Sequence, residues 1–223
     1  MPLATGARTL TRKRIEDEGA VAVVRLSDGA ALGRTVEALV AGGVRAIEVT
    51  MTVPGAVEHI RALARDAEGD VLVGAGTVLD PDTAQAVIDA GARFVVSPAF
   101  DAEVVARCHA AEVAALPGAY TPTEILRAWT AGADVVKVFP ATALGPRYLR
   151  DVRGPLPDVR LMPTGGVTVE NVGEWIAAGA VAVGLGTDLV DSRRIAAGDF
   201  PGLTERARRL VENIRAARAA LTA

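Results

Sequence analysis

Of the 24 basic residues in this chain only two are lysines, Lys13 near the start and Lys137 inside the apolar run VVKVFP; the rest are arginines. A lysine set among Val135, Val136, Val138 and Phe139 is desolvated, and lysine is seldom buried without a reason. An amine does what a guanidinium cannot: once desolvated it can lose its proton near neutral pH and attack a ketone carbonyl. The protonated imine that results draws electrons from the adjacent carbon, so a carbon–carbon bond can break to leave an enamine in place of a bare carbanion. Lys137 is therefore the candidate nucleophile of a Schiff-base reaction on a 2-oxo acid such as pyruvate. The competing reading is a lysine that snorkels to a rim or pairs with a carboxylate.

Such a reaction also needs a proton shuttle. In the strand-like run AIEVT, alternation puts Glu48 on one face with Ala46 and Thr50, opposite Ile47 and Val49. If Ile47 and Val49 pack on helices, Glu48 points inward at the carboxyl end of a strand and is the best general base on offer; an internal ion pair with Arg25 or Lys137 is compatible with that role. Thr77 closes GAGT and offers a hydroxyl to a substrate carboxylate or carbonyl, while Pro98 could form a rigid wall beside the nucleophile. Phe139, two residues beyond Lys137, shares its face and could cover an imine. PTGGV and GLGT read as the ends of the last two strands, where glycines let N–H groups converge on an anion, so a phosphorylated substrate is expected.

These residues need a scaffold that brings many strand ends together. AGGVRAIEVT, AGARFVVSP, AGADVVKVFP and AGAVAVGLG each read as a helix ending in glycine (Gly42, Gly91, Gly132, Gly179) followed by a strand. Between them lie VAVVRL, VLVGAG, VAALPG and RLMPTGG, each followed by a helical pattern. Eight nearly continuous apolar strands alternating with helices predict an α/β fold with parallel strands, specifically a single (β/α)8 TIM barrel over residues 1–223. Asp80-Pro81, Thr121-Pro122 and Thr168 look like helix starts, TLTRKRIEDEG like an extra N-terminal helix, and LTERARRLVENIRAARAALTA like a long amphipathic last one.

A net charge of −3 with dispersed arginines predicts no nucleic-acid partner. A single cysteine, Cys108, excludes an internal disulfide framework, and the lack of an apolar leader or long apolar run predicts a cytoplasmic protein without a membrane partner. His59 and His109 stand apart in helical patterns, so no metal site and no cofactor are expected.

EVTMTVP, GAGTVLDP, FVVSP, VVKVFPA, PTGGV and GLGTDLV together resemble, in order and over almost the whole chain, the 2-dehydro-3-deoxy-6-phosphogluconate (KDPG) aldolases, a family that also acts on 4-hydroxy-2-oxoglutarate. The resemblance implies Lys137 as the Schiff-base residue, Glu48 as acid/base, and Thr164, Gly165, Gly166, Gly186 and Thr187 as phosphate ligands. It also implies a homotrimer, sugar-acid catabolism, and the products pyruvate and glyceraldehyde 3-phosphate. One departure is that many members carry an arginine shortly after EVT, to pair with the pyruvate carboxylate, where this chain has Thr52. Arg25, at the end of the first strand, is the candidate replacement, with Thr77 as hydrogen-bond donor; gluconate- and galactonate-derived substrates both stay open. Other phosphosugar barrels, epimerases or decarboxylases, need metal-binding His and Asp or an Asp-x-Lys-x-x-Asp array that VVKVFPA lacks. The remaining alternative is a silent phosphosugar-binding protein in which Lys137 only pairs with Glu48.

Overall fold

Alternating apolar runs and amphipathic segments fold as parallel strands and helices in a computed structural model that describes residues 6–66 and 71–222. α1 (Ala7–Glu18) precedes β1 (Ala20–Val24), and there follow α2 (Leu32–Ala41), β2 (Ala46–Thr50), α3 (Ala56–Asp66) and β3 (Leu72–Gly76). Next come α4 (Pro81–Asp89), β4 (Phe94–Val96), α5 (Ala102–Ala110), β5 (Ala114–Leu116), β6 (Gly118–Ala119), α6 (Pro122–Thr130) and β7 (Val136–Val138). The last part holds α7 (Gly145–Arg153), β8 (Leu161–Pro163), α8 (Val172–Ala177), β9 (Val183–Leu185), α9 (Ser192–Ala196) and α10 (Phe200–Thr222). Six strands pair in parallel in the order β5-β4-β3-β2-β1-β9, and three more in the order β6-β7-β8. An isolated parallel bridge, Thr164 to Gly184, joins the residue after β8 to β9.

Alternation along the strands sorts their side chains into two cores. Ala22, Val24, Ile47, Val49, Val73, Ala75, Val136 and Val138 pack with helix residues such as Leu39, Ile60, Val87, Trp175 and Leu210. The opposite face contributes Val21, Ala46, Leu72, Phe94, Ala114, Met162 and Ala182 to a second cluster at the amino ends of the strands. Ile15 of α1 is fully buried in that cluster, and ion pairs from Arg160 to Glu16 (3.1 Å) and Arg8 to Asp134 (3.7 Å) hold the helix there. With one end of the strands plugged, chemistry is left to the carboxyl ends. No helix among the described residues is long and apolar enough to cross a membrane.

Local signals predicted most of these boundaries, with four corrections. The run VAALPG breaks at Pro117 into β5 and β6, because proline has no N–H to give to a ladder; its carbonyl still accepts from the N–H of Lys137 (2.9 Å). Gly91, Gly132 and Gly179 take the left-handed turn (φ 99°, 95° and 95°), but in the first repeat Gly43 does so (φ 94°) and Gly42 does not. In Ala41-Gly42-Gly43 the first glycine fills the alanine position of the other repeats, and a Cβ there would lie 2.4 Å from that of Ala207 on α10. Asp80 and Thr121 cap their helices as expected, yet α8 starts at Val172 and not at Thr168. Residues 168–171 form a turn instead, in which Asn171 accepts from the Thr168 N–H (2.8 Å) and Thr168 accepts from the Asn171 N–H (3.0 Å). Finally, α10 begins at Phe200, ahead of the expected Leu203.

Candidate active site

The centre of β7 is Val-Lys-Val, and alternation sends Val136 and Val138 to the helix side and Lys137 to the opposite face. Lys137 is only 5% exposed and lines a cleft of about 520 Å³ at the carboxyl ends of the strands. Its Nζ sits 5.0 Å from the ring centre of Phe139, which lines the same cleft. Pro98, just past β4, forms another wall. Its carbonyl runs so close to β6 that a Cβ at Gly118, the residue in register with Lys137, would lie 2.2 Å from that oxygen. Gly118 therefore lets the backbone that follows β4 close in beside the strand position paired with Lys137.

Glu48 stands on β2 with Ile47 and Val49 turned into the helix-side core, as alternation predicts. It is 1% exposed, and neither carboxyl oxygen has a hydrogen-bond partner among the described residues. Burial pushes its pKa above the ordinary carboxylate value, with the positive charges of Lys137 and then Arg25 pulling the other way. Unlike Lys137, Arg25 and Thr77, it is not among the residues that line the cleft. The space it occupies depends on Gly76, where a Cβ would fall 1.8 Å from Glu48 Oε1.

Arg25 follows β1 and shares its face with Val23; both line the cleft. Its guanidinium donates to Thr52 Oγ1 (2.8 Å) and to Thr77 Oγ1 (3.2 Å), and the Thr52 hydroxyl in turn meets that of Thr50 at 2.8 Å. Thr77 is held at φ 61°, a left-handed conformation that costs a β-branched residue about 1–3 kcal/mol and is found most often at functional sites. Thr52, at the position where the resemblance leads one to look for an arginine, serves here as the acceptor that aims one.

Directly after β8 stands Thr164, 6% exposed, whose Oγ1 has no partner among the described residues. Gly165 and Gly166 follow with φ 88° and 75°, a backbone that a side chain at either position would strain, and a Cβ on Gly166 would lie 2.8 Å from the Thr142 Cα. After β9 the chain turns at Gly186, whose carbonyl accepts from the N–H groups of Leu189 (3.0 Å) and Val190 (2.8 Å), and Thr187 is exposed at the rim. Both turns line the same cleft.

Val167, Thr168 and Asp188 line it too, and sequence reasoning assigned them no role in the site. Asp188 sits inside the GLGTDLV motif, but nothing local reveals that it bonds the Val169 N–H (2.8 Å) and the Arg206 guanidinium (2.8 Å). Cys108 is buried in α5 with its thiol pushed up to about 12, chiefly by burial, so it is no nucleophile.

Residues 12–205 match the sequence profile of the KDPG and KHG aldolases. The chain is 42% identical over 185 residues to 2-dehydro-3-deoxy-phosphogluconate aldolase of Treponema pallidum (strain Nichols), covering 82% of this chain and 86% of that protein. It is 39% identical over 156 residues to 2-dehydro-3-deoxy-6-phosphogalactonate aldolase of Escherichia coli (strain K12), covering 69% and 76%. Its fold is similar, at TM-score 0.82 and 28% identity over 93% of this chain and 99% of the other, to KDPG aldolase from Legionella pneumophila with pyruvate captured at low pH as a covalent carbinolamine intermediate. On the strength of the profile match and these identities, the chain belongs to the KDPG and KHG aldolase family.

Proposed function

We propose that this class I aldolase cleaves a 2-dehydro-3-deoxy-6-phospho sugar acid to pyruvate and glyceraldehyde 3-phosphate, and 4-hydroxy-2-oxoglutarate to pyruvate and glyoxylate. One observation carries the reading: a buried amine opens into a small-molecule cleft beside a buried carboxyl that has no hydrogen-bond partner among the described residues. Lys137 adds to the C2 ketone, and loss of water leaves the protonated imine. Glu48, as carboxylate, takes the proton of the C4 hydroxyl; the C3–C4 bond breaks, the aldehyde departs, and the electron pair passes into the enamine. Glu48 returns the proton to C3, and water then hydrolyses the pyruvate imine to free Lys137. Pro98 and Phe139 wall the imine, Arg25 and Thr77 hold the carboxylate, and Thr164, Gly165, Gly166, Gly186 and Thr187 take the phosphate.

Treatment with pyruvate and borohydride, followed by digestion and mass measurement, is expected to leave a stable adduct on the peptide that contains Lys137. An adduct elsewhere, or none, defeats the assignment. The Arg25→Ala variant is expected to lose about tenfold to a hundredfold in kcat/KM, most of it in KM, because a charged partner of the substrate carboxylate is removed. An unchanged KM takes Arg25 out of the site.

The same reading makes the two sheets one closed (β/α)8 barrel and residues 1–223 one domain. It is supported by the Thr164–Gly184 bridge, by the Val181 N–H donating to the Leu161 carbonyl (3.0 Å), and by β5 and β6 being halves of one strand separated by Pro117 alone. A homotrimer belongs to it through the family resemblance.

A further inference from the structure

The cleft wall contains a carboxylate where the proposed substrate brings a phosphate. Asp188 follows Thr187 directly, lines the cleft, and is 29% exposed. An unpaired carboxylate there would repel a phosphoryl group over a few ångströms, through a partly desolvated space where screening is weak. The structure shows what answers that charge. Arg206 of α10 donates through Nη2 to Asp188 Oδ2 (2.8 Å) and through Nε to the Asp188 carbonyl (2.9 Å), so one guanidinium grips both the side chain and the backbone. Its third nitrogen faces Glu170 Oε1 at 3.8 Å.

The same carboxylate oxygen of Asp188 accepts the N–H of Val169 (2.8 Å), and Asn213 of α10 donates to the Val169 carbonyl (2.8 Å). Val169 lies in the segment that follows Gly165-Gly166, and Asn171 holds the Gly166 carbonyl (2.9 Å). The turn after β8 and the turn after β9 are thus fastened to each other through Asp188 and to α10 through Arg206 and Asn213. Arg206 lies immediately beyond the segment, 12–205, that matches the family profile.

We infer that Arg206 is a positioning residue for phosphate selectivity: paired with Asp188, it locks the two glycine turns into one cradle and cancels the negative charge that the lock places beside the bound phosphate. This rests on the phosphate reading given above. Asp188 provides the geometry, Arg206 makes that geometry tolerable to an anion, and neither touches the reacting carbons.

The test compares KM for the phosphorylated sugar acid with KM for 4-hydroxy-2-oxoglutarate, which has no phosphate, and follows inhibition by inorganic phosphate. In Arg206→Leu the ratio of the two KM values is expected to rise about tenfold, because a bare carboxylate now faces the phosphate. In Asp188→Asn, which keeps an oxygen for the Val169 N–H but removes the negative charge, the ratio is expected to fall or stay within about twofold. The double variant should lie nearer to Asp188→Asn than to Arg206→Leu, since without the carboxylate there is no charge left to cancel. A ratio unmoved in Arg206→Leu, or a double variant worse than Arg206→Leu, overturns the inference. Should Arg206→Leu not fold, Asp188→Asn still discriminates: inorganic phosphate must bind it at least as tightly as the wild type, and weaker binding sinks the charge argument. A wild type indifferent to phosphate, yet trapped by pyruvate and borohydride, overturns the phosphate reading and this inference with it while leaving the Schiff-base assignment standing.

Discussion

Lys137→Arg is expected to lower kcat by at least about three orders of magnitude, because the guanidinium keeps the charge but cannot add to a ketone. The substitution isolates the nucleophile. Charge beside Glu48 and a donor beneath Phe139 both remain, so an electrostatic or binding role for Lys137 would survive it in large part. Steady-state assay of pyruvate release gives the rate, and the absence of a borohydride adduct gives the cause. A melting temperature within a few degrees of the wild type separates lost chemistry from lost packing at a residue that is 5% exposed. Turnover close to that of the wild type would show that no covalent imine forms at this position.

For Glu48→Gln the exchange of pyruvate methyl protons with deuterated water is expected to slow by about a hundredfold or more, the usual worth of a positioned acid/base group. Borohydride trapping should persist, since imine formation belongs to Lys137. Exchange at the wild-type rate would place the base on another residue.

The same variant carries a stability prediction with a defined pH dependence. Burial raises the Glu48 pKa more strongly than Lys137 and Arg25 lower it, so the folded state holds this proton more tightly than the unfolded chain does. Below the ordinary glutamate range both states are protonated and the group costs little. As pH rises through that range the unfolded chain releases its proton first, and the folded state loses stability until its own, higher pKa is passed. Glutamine never ionises. Glu48→Gln is therefore expected to melt about 2–4 °C above the wild type near pH 8, with a smaller gap near pH 5. Calorimetry at the two pH values checks it; a gap that shrinks as pH rises would mean that attraction to Lys137 and Arg25 outweighs desolvation.

Period-two alternation assigns a face to every strand residue, which is why Glu48 could be set opposite Ile47 and Val49, and Phe139 on the face of Lys137, from one line of sequence. Turn chemistry is equally local. Asp80, Thr121, Gly91, Gly132 and Gly179 do at helix ends what their types dictate. The departures are local in origin too: of two adjacent glycines it is Gly43, not the expected Gly42, that carries the left-handed turn, and Pro117 breaks an apolar run expected as one strand.

Proximity across the chain is another matter. A lysine inside an apolar run, a glutamate on an apolar strand and two glycine turns announce Schiff-base chemistry on an anionic substrate from residue type and spacing, since those properties travel with the residues themselves. That Gly76 makes room for Glu48, that Thr52 and Thr77 aim Arg25, and that Arg206 answers Asp188 emerge only once distant segments pack together. Each of these depends on ångström separations between residues 18 to 52 positions apart, set by how neighbouring strands and the last helix stack, and periodicity along one segment holds no information about that.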